Sequence, residues 1–371
     1  IIERNRVHEG QELKILGAIG EGKAPTSVPS AASCALEAIL RQGRKMIDWS
    51  SPKPQDGDWR TGRGVAIIMQ KSGIPDIDQA NCMIKLESDG TFIVHSGGAD
   101  IGTGLDTVVT KLTAEVLHCA PEEVHVISGD TDHALFDKGA YASSGTCFSG
   151  NAARKAAENL REKILFHGAQ MLGEPVADVQ LVAPGVVRGK QGEVSYAEIA
   201  HKAETGTGFG TLVATASYIT ADFAFPYGAN FAEVAVNTRT GEIRLDKFYA
   251  LLDCGTPVNP ELALGQIYGA SMRAIGHSLS EEILYDAEGH PLTRDLRSYG
   301  APKIGDIPRD FRAVLVPSDD KVGPFGAKSI SEIGVNGAAP AIATAIHDAC
   351  GVWLREWHFT PEKILTALEK M

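Results

Sequence analysis

The chain has 371 residues, enough for two or three domains, and its 43% hydrophobic and 22% charged residues are those of a globular protein, not of a disordered or fibrous one. Acidic side chains outnumber basic ones, 47 against 35, and no Lys/Arg run of the kind that neutralises phosphates is present, which argues against nucleic acid as a partner. No apolar run approaches the roughly 18 residues of a membrane span, and the polar start "IIERNRVHEGQELK" lacks a signal-peptide core, so the expectation is a cytoplasmic protein with no membrane partner.

The first residue is Ile1 and not Met, and the opening stretch reads as an element already under way, so a fragment of a longer polypeptide is expected. In "SAASCALEAILRQGRK" apolar residues recur at helical spacing, and "SSPKPQDGDWRTG" has the Pro, Gly and Asp of an exposed connection, which makes residues 1–60 a helical preface and linker. From "GRGVAIIMQ" the pattern turns to strands, and "CMIKLESDGTFIVHS" predicts a hairpin turning at Asp89-Gly90. "LDTVVTKLTAEVLHC" follows as a helix, "EEVHVISGD" as a strand and "SGNAARKAAENLREKILFHGAQML" as a long helix, with short strands near "VQLVAPGVVRG". These elements make a first α/β lobe over 61–205.

A second lobe, 206–371, opens with the hairpin "FAEVAVNTRTGEIRLDKFYALLDCG" and a helix that Pro260 starts and Asn259 caps. "TPEKILTALEKM" closes the chain as a helix capped by Thr360. Both lobes run hairpin, glycine-rich turn, helix, which suggests similar builds with a cleft between them. The expected class is α+β, two lobes of mixed β-sheet packed with helices.

The 6 cysteines lie far apart with no C-x-x-C pair, and the 11 histidines show no H-E-x-x-H, so no protein-ligated metal is expected and the cysteines read as buried thiols. In "SGGADIGTGLDTVV" the glycines from Gly97 to Gly104 join a strand to a helix, either as an anion cradle or as a tight turn. The same turn gives a rival reading, a nicotinamide-dependent reductase using Gly98–Gly104. That reading needs a Tyr and a Lys four apart on a helix, and between Tyr299 and Lys303 stands Pro302. In "YASSGTCFSGNAARKAA", Ser143, Ser144 and Thr146 stand where hydroxyls usually cap a helix. Gly265 and Gly269 give their helix a face open to close approach, with Gln266 beside it as a surface residue or a ligand donor and acceptor. In "SISEIGVNGAAPAIATAI" a single acid, Glu332, sits among Ile330, Ile333, Gly334 and Val335, with Lys328 the nearest cation. Such a carboxylate is either a satisfied loop acid or a general base tuned by burial and neighbours.

The ordered set "GGADIGTGLDT", "YASSGTCFSGNA", "NPELALGQIYGA" and "GAKSISE" resembles the molybdenum-binding part of the xanthine dehydrogenase and aldehyde oxidase family, from about residue 60 to the C-terminus. Within the family it is similar to the C-terminal portion of the bacterial hypoxanthine oxidase type. The resemblance implies that Glu332 is the base acting on metal-activated water and that Gln266 hydrogen-bonds the pterin. It implies further that Ala142, Ser143, Ser144 and Gly145 lie along the cofactor, and that Ile101, Thr103 and Ile330 contact it. Thr103 stands where many members carry glutamine, and Ser331 replaces a common glycine. The implied cofactor is molybdenum-pterin, molybdopterin or its cytosine dinucleotide form, held by the pterin's sulfurs and by no protein ligand. Iron–sulfur clusters and any flavin are expected on a preceding part or on partner subunits. The implied reaction is hydroxylation of a purine, such as hypoxanthine or xanthine, or of a similar N-heteroaromatic ring, in a protein that pairs as a homodimer. The family's glycine-rich Phe loop and arginine-containing substrate segment are not found here, so the chain alone is expected to be inactive. A non-catalytic scaffold is the other alternative.

Overall fold

In the computed structural model, which describes residues 1–18, 28–205 and 209–371, the strands and helices build two principal sheets with helices laid on them. The strands are β1 (Trp59–Met69), β2 (Ala80–Leu86), β3 (Phe92–Ser96), β4 (Val124–Ser128), β5 (Val213–Tyr218), β6 (Tyr227–Asn237), β7 (Ile243–Asp253) and β8 (Asp310–Leu315). The main helices are α1 (Leu36–Met46), α2 (Leu105–Leu117), α3 (Phe148–Leu172), α4 (Pro260–Leu279) and α5 (Ala338–Cys350). One sheet has the order β4-β3-β2-β5; in the other a short strand, Gln55–Asp56, precedes β1-β6-β7-β8. Three short strands between 180 and 195 form a separate small sheet. The fold is α+β, as the sequence leads one to expect.

Local chemistry accounts for the elements. In β2 and β3 buried and half-buried residues alternate, the pattern of a sheet with one face against a core. Their turn closes at Gly90, whose φ of 91° suits glycine, while Asp89 Oδ1 accepts the Thr91 N–H at 2.9 Å. β6 is buried on both faces and reads accordingly as an almost unbroken apolar run. On one side of it α1 packs Ile39 and Leu40 near Phe231 and Tyr249; on the other, Ile267 of α4 and Ile342 and Ile346 of α5 meet Val234 and Phe248. The helix predicted within the preface therefore belongs to a core. Gly62 and Gly64 of β1 let α5 lie directly on the strand, because a Cβ at either would collide with the carbonyl of Ala345 or Ala341.

The two halves share a topology that their sequences hint at only loosely. In each, an antiparallel hairpin leads through a helix to a strand parallel to the hairpin's second member: β2-β3, α2, β4 and β6-β7, α4, β8. Sheet membership does not follow chain order, however. β1, read from sequence as the start of the first lobe, pairs antiparallel with β6; β5, read as part of the second, pairs antiparallel with β2. Period-two patterning marks a strand but does not name its partner, which tertiary burial selects. The boundary expected at 205/206 falls on 206–208, outside the described residues.

Candidate active site

Four chain segments converge on one cleft of about 190 Å³: the turn before α2, the loop before α3, the exposed edge of α4, and the loop that leads into α5. Its lining includes Ile101, Thr103, Ser143, Ser144, Gly145, Gln266, Ile330 and Glu332. These are the residues singled out in the sequence except Ala142, which contributes the backbone beside Ser143 and is not part of the wall.

The glycine-rich turn is occupied by its own acid. Asp100 Oδ1 accepts the N–H groups of Gly102 and Gly104 at 2.9 and 3.2 Å, and Oδ2 that of Asp106 at 3.2 Å. Partial burial pushes the Asp100 carboxyl up, but the N–H bonds from Gly102, Asp106 and Gly104 together outweigh it and hold the group below the usual carboxylate range. Gly97 and Gly98 are packing positions, where a Cβ would strike the Leu135 carbonyl or the Ser149 hydroxyl. The cradle is therefore a tight turn with its donors already engaged. A dinucleotide phosphate would have to displace Asp100, which removes the physical basis for a nicotinamide site here.

The loop before α3 is strained. Ala142 and Ser143, neither of them glycine, have φ of 48° and 56°, a conformation that costs roughly 1–3 kcal/mol per residue and persists where surrounding bonds impose it. Those bonds are present: the Gly73 N–H donates to Ala142 O at 2.8 Å, and the Ser329 hydroxyl donates to Ser143 O. The hydroxyls do not cap α3, contrary to the usual role of such residues; its first position, after Cys147, has no side-chain cap. Ser144 Oγ donates instead to Gly139 O at 3.0 Å, and Ser143 Oγ crosses the cleft to Glu332.

Gln266 on α4 reaches the turn before α2, Nε2 donating to Gly102 O at 3.4 Å, so it is a wall residue of the cleft and not merely a surface glutamine. Beside it, Gly265 and Gly269 are exposed with open space where a Cβ would sit, so no described backbone uses the close approach they permit.

Glu332 opens a 3-10 turn, Glu332–Val335, that runs into α5. Its side chain is exposed at the rim of the cleft, so neighbours rather than burial define the carboxylate's setting. Oε2 accepts the Ser143 hydroxyl at 2.6 Å and the Gln70 amide at 3.3 Å. Lys328, the nearest cation in sequence, does not reach it: its ammonium is fully enclosed and pairs with Asp253 Oδ2 at 2.9 Å. Several residues at the site escaped sequence reasoning. Tyr141 and Ser329 line the cleft within motifs already noted, as does Leu105, whereas Gln70 directly follows an apolar strand and carries no local sign that it meets Glu332. Tyr141 is anchored by its hydroxyl, which donates to Asp78 Oδ1 at 2.5 Å. Among the described residues, no three His, Cys, Asp or Glu side chains gather as a metal site.

Comparison with known proteins gives a consistent answer. A family profile described as "Molybdopterin cofactor-binding domain" matches residues 42–308. Over all 371 residues the chain is 92% identical to "Probable hypoxanthine oxidase XdhD" of Escherichia coli strain K12, spanning 39% of that protein. It is 31% identical over 369 residues to "Xanthine dehydrogenase molybdenum-binding subunit" of Escherichia coli O157:H7, covering 95% of this chain and 48% of that protein. Among solved structures, quinoline 2-oxidoreductase from Pseudomonas putida 86 superimposes with a TM-score of 0.77 at 26% identity, covering 91% of this chain and 44% of that one. The chain thus spans less than half the length of these relatives. It belongs to the molybdopterin cofactor-binding domain family, in the molybdenum-binding region of the xanthine dehydrogenase type.

Proposed function

We propose that the chain is the C-terminal cofactor-binding part of a molybdenum hydroxylase acting on a purine of the hypoxanthine or xanthine kind, or on a similar N-heteroaromatic ring. The observation that carries this reading is a single acid, Glu332, at the rim of a cleft whose walls hold Thr103, Ser143, Gly145, Gln266 and Ile330. The names of the relatives, one at 92% identity, support the substrate class.

The residues present fit a pterin group. Gln266 spends one N–H on a long bond to Gly102 and keeps its other N–H and its carbonyl oxygen for a heterocycle. Ile101, Ile330 and Leu105 give apolar surface for a flat ring. The cofactor is molybdopterin, in the plain or the cytosine dinucleotide form; when bound it supplies a Lewis-acidic centre that activates water and accepts two electrons. Glu332 would hold and accept a proton from the activated water in the hydroxylation of an electron-poor ring carbon. Ser143, Ser144 and Gly145 would line the cofactor's edge, with Ala142 shaping the backbone beside them. The enzyme is completed by a preceding cofactor domain and by iron–sulfur modules, with any flavin on these or on partner subunits, and pairs as a homodimer; the chain alone is inactive.

Glu332→Ala in the full-length protein tests the reading. Turnover should fall by at least the roughly 10²–10⁴-fold of an acid–base group, with molybdenum content unchanged. Turnover at the wild-type rate would remove Glu332 from the chemistry and the proposal with it.

A further inference from the structure

We infer that Ser143 and Gln70 are positioning residues for Glu332, and that their shared grip on Oε2 reserves Oε1 as the atom that takes the proton. The inference rests on Glu332 being the base and adds how that base is oriented.

Two donors from separate chain segments meet at one oxygen. The Ser143 hydroxyl lies 2.6 Å from Glu332 Oε2, the short distance of a charge-assisted O–H···O⁻ bond, and Gln70 Nε2 lies 3.3 Å from the same atom. Among the described residues no group donates to Oε1, so its lone pairs are the ones left for a proton. Each donor is itself fixed. Gln70 follows β1 directly, and its backbone N–H bonds Pro226 O at 3.2 Å. Its side-chain carbonyl accepts Asn336 Nδ2 at 3.3 Å, which turns the amide N–H toward Glu332. Asn336 terminates the same 3-10 turn that Glu332 begins, so one glutamine binds both ends of that turn. Ser143 sits in its left-handed conformation with its carbonyl tied to Ser329, three residues before Glu332. Strained backbone held by such bonds is characteristic of working sites, and here the strain places a hydroxyl against the acid. An exposed glutamate otherwise samples many rotamers, and a small misplacement of a reacting group can cost about 10²-fold in rate. Lys328, the nearest cation in sequence, is committed to Asp253 and leaves the orientation to these two neutral donors.

The test uses the full-length, cofactor-loaded protein with Ser143→Gly, which suits the left-handed backbone while deleting the hydroxyl, and separately Gln70→Leu. Each should lower kcat about 10- to 100-fold with KM within a factor of about 3, with molybdenum content retained. Crystal structures of both variants should show the Glu332 carboxylate rotated away from its wild-type position. Wild-type kcat in both variants, or a carboxylate that stays in place in both, overturns the inference while Glu332→Ala still reports separately on the proposed function. Loss of turnover only through a raised KM also overturns it, because orientation of a base acts on the chemical step.

Discussion

Lys328 Nζ and Asp253 Oδ2 lie 2.9 Å apart with both side chains fully enclosed, four residues upstream of the exposed Glu332. Around this pair, the Ala35 N–H donates to Asp253 Oδ2 at 3.0 Å, Ser318 Oγ donates to Oδ1 at 2.6 Å, and Lys328 Nζ donates to Ser33 Oγ at 3.0 Å. Residues 33–35, the end of β7 and the root of the Glu332 loop are thereby joined through one buried network.

Lys328→Met leaves the enclosed Asp253 carboxylate with its neutral donors but without its cation, so it should destabilise the protein by about 3 kcal/mol. Replacing both, Lys328→Met with Asp253→Leu, should cost more than the single change, because the Ala35 and Gly255 N–H groups and the Ser318 hydroxyl also lose their acceptor. Denaturant unfolding of the three proteins, with the midpoints compared at constant slope, checks the ordering; equal midpoints for wild type and Lys328→Met would contradict it.

Asp100 stands in for a helix cap at the entrance of α2. Asp100→Ala should cost about 1 kcal/mol, read as a lowered melting temperature near neutral pH. Because the folded carboxyl titrates below its ordinary value of 3.8, its stabilisation is complete above that value and is lost as pH falls through the lower, folded one. The gap between wild type and variant should therefore be constant above about pH 5 and close in stronger acid.

Gly64 is where α5 rests on β1. Gly64→Ala would drive a methyl group into the Ala341 carbonyl and the Thr344 hydroxyl, and such overpacking costs about 1–3 kcal/mol. Since α5 follows directly from the Glu332 turn, a crystal structure of the variant should show α5 and that turn displaced together. An unchanged melting temperature would show that the strand can yield without loss.

Burial pushes the thiols of Cys82 and Cys147 up to about 12, so neither supplies thiolate at neutral pH. Alkylation of native protein at pH 7.5 should leave both unmodified, and unfolding should expose them at once; mass spectrometry of the modified peptides distinguishes the cases. Rapid labelling of either in the folded protein would contradict the burial.

Much of the architecture was legible because it is local. Asp89-Gly90 closes its hairpin through a bond two residues long, Gly241 of the Thr240-Gly241 turn has a φ of 76°, and Asn259 accepts the Leu262 N–H at the start of α4. Each depends on neighbours within a few residues. The motifs around Thr103, Ser143, Gln266 and Glu332 were joined into one site by the family resemblance of their ordered set, not by local chemistry. What the sequence could not decide is pairing across distance. β1 lies alongside β6 because its buried faces must meet α1 and α5, and only that packing withdraws Lys328 to Asp253. Gln70 stands 262 residues from Glu332 and meets it only because β1 ends beside the loop that enters α5. Short-range dihedral preference and periodicity set the elements; burial and the satisfaction of polar groups at long range set which residues face one another across the cleft.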